Sequence, residues 1–156
     1  MTIPSVTVNA GEHSVSLSER LKVDRNNLTQ ELSEQPALFA YFASLEQDAR
    51  DRYNRTKLDL ELYEAQQDVK IRYVMTQQRP AGQWIMDKEV DRRIKIDPRW
   101  LQLYEAFLDA SKDWGMLQAA RQAFEQRKDV LVTLTHQARI ESAQSYSSLH
   151  QPSLPG

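Results

Sequence analysis

"SEQPALFAYFASLEQDARDRYNRTKLDLELYEAQQDVKIRYVMTQQRP", residues 33–80, decides the fold class. Between Ala37 and Arg79 it contains neither glycine nor proline, the two residues that most often end a helix. Leu38, Phe42, Leu45, Ala49 and Tyr53 recur at steps of four, three, four and four. That period places them on one helical face. Leu58, Leu62, Ala65, Val69 and Tyr73 continue the stripe after a shift of register. Ser33 is the expected N-cap, with Pro36 tolerated in the first turn. A helix over 34–77 would be about 65 Å long at 1.5 Å per residue. A helix that long cannot bury its own stripe, so it requires a partner helix.

The partner follows a break. "TQQRPAGQ" places Pro80 and Gly82 in one turn. "DKEVDRRIKI" reads as a short helix with Asp87 as its cap and Val90 and Ile94 on its inner face. "IDPRW" is a strong start signal, with Asp97 as N-cap and Pro98 at the first helical position. The second long helix carries Trp100, Tyr104, Phe107, Trp114, Leu117, Phe124, Leu131 and Leu134, and is expected to fray near Ala143. These aromatics read as core at helical spacing rather than as a stacking platform. Gly115 costs about 1 kcal/mol in mid-helix relative to alanine, and so suggests a close approach of another backbone. Before the long helices, Asp24 is a candidate cap for a short helix bearing Leu28 and Leu32.

The expected architecture is therefore all-α: two long antiparallel helices, a helical hairpin, joined by a basic elbow with a short helix. Residues 1–20 read as a mobile N-terminal arm, 21–142 as the hairpin domain and 143–156 as a disordered C-terminal tail. Further large apolar residues on other faces, among them Phe39, Leu60, Tyr63, Leu101, Leu103 and Leu108, predict assembly into a homo-oligomer of coiled-coil type.

Composition bounds the function. The 156 residues are the size of one domain, and 27 % of them are charged against 8 % aromatic. There is no cysteine, so thiolate metal sites and cysteine nucleophiles are excluded. No apolar run approaches the roughly 20 residues that span a membrane. The N-terminal stretch lacks the features of a signal peptide, so a cytoplasmic protein is expected. His13, His136 and His150 form no ligand motif, and no phosphate-binding loop is present. The acidic run Asp59, Glu61, Glu64 and Asp68 reads as a solvated helix face with i,i+4 pairs rather than as acid–base machinery. Neither a metal, a cofactor nor an enzyme activity is expected.

Charge singles out the elbow. Lys70, Arg72, Arg79, Lys88, Arg92, Arg93, Lys95 and Arg99 face only Asp87, Glu89, Asp91 and Asp97. The stretch is net +4 in a chain that is net −2. Closely set cations bind phosphate by releasing counterions. On charge alone a solvated loop is the commoner reading, since Arg and Lys are frequent at helix ends. Trp84 lies among them, placed either to stack on a base or to plug the end of the hairpin.

Four pieces in order resemble the UvsY-type recombination mediators of bacteriophages: "VDRNNLTQELSEQPALFAYF" (23–42), "YEAQQDVKIRYVM" (63–75), "DKEVDRRIKIDPRWLQLYEAFLDA" (87–110) and "QAARQAFEQRKDVL" (118–131). The resemblance implies a non-enzymatic protein of DNA recombination, repair and replication. It would load a RecA-like recombinase onto single-stranded DNA coated by a single-strand-binding protein, as a ring-like homo-oligomer. It carries the family's basic pair over to Lys70 and Arg72, although Val74 stands where an ungapped match places the second base. The alternative from a different class is a structural adaptor or virion assembly protein, with the stripes packed against protein and no DNA bound.

Overall fold

The computed structural model describes the backbone of residues 7–10, 13–80 and 82–149, and side chains within 19–80 and 82–146. Two short strands, β1 (Thr7–Ala10) and β2 (His13–Ser16), pair antiparallel, with Thr7 opposite Ser16. The elements described after them are helical: α1 (Leu17–Arg20), a 3-10 turn (Arg25–Asn27), α2 (Leu28–Gln78), α3 (Asp87–Lys95) and α4 (Pro98–Leu149). Of the expected mobile arm over 1–20, the backbone of 7–10 and 13–20 forms the strand pair and α1, while 1–6 and 11–12 lie outside the described residues, as do residues 150–156 of the expected tail.

Three boundaries differ from expectation. First, α2 starts at Leu28, not near Ser33. Asp24 caps the 3-10 turn by accepting the Asn26 N–H at 2.9 Å, and Glu31 accepts the Asp24 N–H at 3.1 Å. The turn then runs directly into the helix, and the Ser33 hydroxyl donates to the Gln30 carbonyl instead of capping. Pro36 consequently sits inside the helix. Second, α3 is capped by the backbone of Met86, with no side-chain bond, because the Asp87 carboxylate is engaged by Arg72. Third, α4 continues past Ala143 to Leu149. Ser142 and Ser145 fit there because their hydroxyls donate back to the Ala138 and Glu141 carbonyls. The start of α4 is as read: Asp97 accepts the Arg99 N–H at 2.8 Å and Pro98 is its first residue.

The chain divides into two compact units, residues 1–45 with 117–156 and residues 46–116. In the first, α2 packs on α4 through Phe42 stacked on Phe124, ring centroids 4.4 Å apart, with Leu117, Ala120 and Leu131 also buried. Beside these lies a buried polar knot. Arg127 donates to the Glu31 carboxylate, to the Gln35 side chain and, at 3.1 Å, to the Lys22 carbonyl. Gln35 in turn donates to the Phe124 carbonyl at 2.6 Å.

In the second unit Tyr53 packs against Phe107 and Trp114, and Trp100 stacks on Tyr104 while its indole N–H donates to Glu64 at 2.8 Å. These aromatics are packing residues, as expected. Met75, Val90 and Ile94 form a small core that seats α3 on α2, flanked by Ile71, Ile85 and Trp100. The inner face of α2 here is Ala49, Tyr53, Leu60, Ile71 and Met75. The stripe expected to pack, Leu58, Leu62, Val69 and Tyr73, is exposed instead, each residue between 50 and 69 %. Gly115 also departs from expectation: an added Cβ would meet nothing within 4 Å, so no backbone approaches it.

Candidate nucleic-acid interface

All the cations of the elbow belong to the second unit. The elbow turns where the Gln83 N–H reaches the Pro80 carbonyl at 3.3 Å and Gly82 takes a φ of +91°. Only glycine adopts that conformation without strain. The Arg79 guanidinium then fixes the loop by donating to the Trp84 carbonyl at 2.7 Å and to Glu89 on α3. Trp84, so anchored by its backbone, leaves its side chain 90 % exposed. It plugs nothing. Gly82, Gln83, Trp84 and Ile85 line a shallow recess with Arg72.

The structure sorts the eight cations into two groups. Arg72 joins Asp68 at 2.8 Å and Asp87 at 2.7 Å, which ties α2 to the start of α3. These two hydrogen bonds, to Asp68 and then to Asp87, push its pKa up further. Arg79 and Arg93 share Glu89, and Lys95 reaches Asp91 at 2.9 Å, a bond that raises its pKa. These four already hold carboxylate partners. Lys70, Lys88 and Arg92 make no ion pair among the described residues, and the Arg99 guanidinium donates to the neutral Gln102 at 3.1 Å. All four are exposed. Lys88 and Arg92 are one turn apart on the face of α3 opposite the buried Val90 and Ile94. A phosphate backbone would meet them without breaking any existing pair.

The sequence alone did not separate the groups. The Glu89–Arg93 and Asp91–Lys95 pairs were legible as i,i+4 spacings. The Arg72–Asp87 and Arg79–Glu89 pairs join residues 15 and 10 positions apart and had no local signal. The same holds for the recess beside Trp84.

Three of the four carboxylates in the acidic run have individual partners, and Asp59 makes no ion pair among the described residues. Glu61 lies 3.8 Å from Lys57, Asp68 holds Arg72 and Glu64 receives Trp100. No group of metal-ligating side chains is found among the described residues, and no described helix is long and apolar enough to cross a membrane. No protein family matches the sequence, and no curated protein or solved structure shows significant similarity to it.

Proposed function

We propose that the protein is a non-enzymatic single-stranded DNA-binding module that works through its elbow. The observation that carries this reading is Trp84: a fully presented indole, held by a fixed backbone, on the same elbow as the unpaired Lys88 and Arg92. Single strands offer unstacked bases to an aromatic ring and phosphates to nearby cations. A duplex offers only the phosphates. Lys70 and Arg99 extend the set of exposed cations, while Arg72 and Arg79 shape the elbow. The role proposed from the resemblance is that of a phage recombination mediator. It would load a RecA-like recombinase onto DNA coated by a single-strand-binding protein, as a homo-oligomer of helical hairpins in the host cytoplasm.

Fluorescence anisotropy with a labelled oligonucleotide over a series of salt concentrations tests the reading. Affinity should fall steeply with salt and be indifferent to base order. Trp84→Ala should weaken single-strand binding by about 1–3 kcal/mol. Joint replacement of Lys88, Arg92 and Arg99 by alanine should lower both affinity and salt slope, with helix content unchanged. Replacing Arg50, Arg52 and Arg55, which alternate with Asp48 and Asp51 on α2, should do neither. Unchanged binding by the elbow variants would leave the adaptor reading, which the exposed stripe of α2 favours.

A further inference from the structure

We infer that the outer stripe of α2, Leu58, Leu62, Ala65, Val69 and Tyr73, is a self-association seam that pairs antiparallel with the same stripe of a second copy. The inference rests on α2; it takes Lys70 into the seam and leaves Trp84, Lys88 and Arg92 of the elbow to the DNA reading. The stripe lies diametrically opposite the inner face of Leu60, Ile71 and Met75, so burying one leaves the other in water. Its members recur with coiled-coil spacing over four turns. Isolated exposed leucines need no explanation, but a continuous row of this length does.

Charge says what covers it. Asp59 and Lys70 are exposed and make no ion pair among the described residues. Eleven residues is close to three full turns, so both project from the same flank of the stripe. One chain cannot bring them together, because about 16 Å of helix separates them. A second copy can. A two-fold axis beside Ala65 sets Leu58 against Tyr73 of the other copy and Leu62 against its Val69. The same operation brings each Asp59 within a few ångströms, along the helix, of the opposite Lys70, twice per dimer. Ala65, the smallest side chain of the row, falls at the crossing, where two helices must come closest. A parallel pairing would instead put the two copies of Asp59, and the two of Lys70, on opposite flanks of the seam, where neither meets its counterpart.

The chain has no cysteine, so single introduced thiols report the geometry directly. Under mild oxidation Ala65→Cys should form a disulfide-linked dimer. Leu58→Cys should not, because its two copies would stand about 22 Å apart along the axis, and a disulfide needs Cα atoms within about 7 Å. Cross-linking at both positions, or at neither, overturns the proposal. In sedimentation equilibrium the unmodified protein should associate at micromolar concentration. Asp59→Lys and Lys70→Asp should each weaken association by about fivefold, given two exposed pairs per dimer, and the double reversal should restore it. A monomeric unmodified protein, or a double reversal no better than the singles, also overturns it. Circular dichroism confirms that each variant keeps its helix. Leu62→Asp, at a half-exposed position, should abolish the dimer while the monomer stays folded.

Discussion

At the scale of the residue, three positions carry testable energetics. Gly115 keeps a helical backbone with open space where a Cβ would stand. Gly115→Ala should therefore stabilise the protein by about 0.5–1 kcal/mol, since it removes backbone freedom only from the unfolded chain. Thermal unfolding followed by circular dichroism measures it. Arg127 is 6 % exposed and holds Glu31 in a nearly dry setting. Removing one partner strands the other, so Glu31→Ala should cost roughly 3–5 kcal/mol in urea unfolding. Replacing both by apolar residues should recover much of that loss. Asp97 has its pKa lowered, chiefly by a hydrogen bond from the Tyr63 hydroxyl and then by the Arg99 N–H. A depressed carboxylate contributes stability that is complete above its unfolded pKa of about 4 and is lost as pH falls through the lower folded value. Asp97→Asn should flatten the acid limb of the stability profile, and Tyr63→Phe should move that limb upward in pH.

At the scale of the element, α2 is a helix with two apolar faces, of which only the inner one meets α3 and α4 among the described residues. Its early stripe was legible because Phe42 and Ala49 occupy positions that both sequence period and packing require. Its later stripe was misread. Two rows satisfy helical spacing there, Leu58–Leu62–Val69 and Leu60–Ile71–Met75, and the denser row looked like the inner one. Periodicity identifies an apolar face but does not say which face the neighbour takes. The small helix α3 shows the converse, since Val90 and Ile94 were read as inner residues and lie in the core with Met75. Ile94→Ala should cost about 2–4 kcal/mol, and α3 should then lose amide protection before α2 does. Hydrogen exchange read by mass spectrometry resolves the two helices.

At the scale of the whole molecule, the sequence by itself determined that the chain is helical, where α4 begins and where the elbow turns. Each of these is a local matter: apolar period, the Asp97–Pro98 cap, and Pro80 with Gly82 act within one or two turns of backbone. Circular dichroism should accordingly report more than half helix. The sequence also determined that the elbow is positive, because net charge depends only on composition. Tertiary structure alone decided which stripe of α2 meets solvent, which polar groups are buried, and that Arg72 and Arg79 are taken up by Asp87 and Glu89. Arg72 meets Asp87, and Arg127 meets Glu31 across 96 residues, only after distant helices have docked. Attraction between charges falls with distance through space, and the chain carries no local mark of which distant residues folding will bring together.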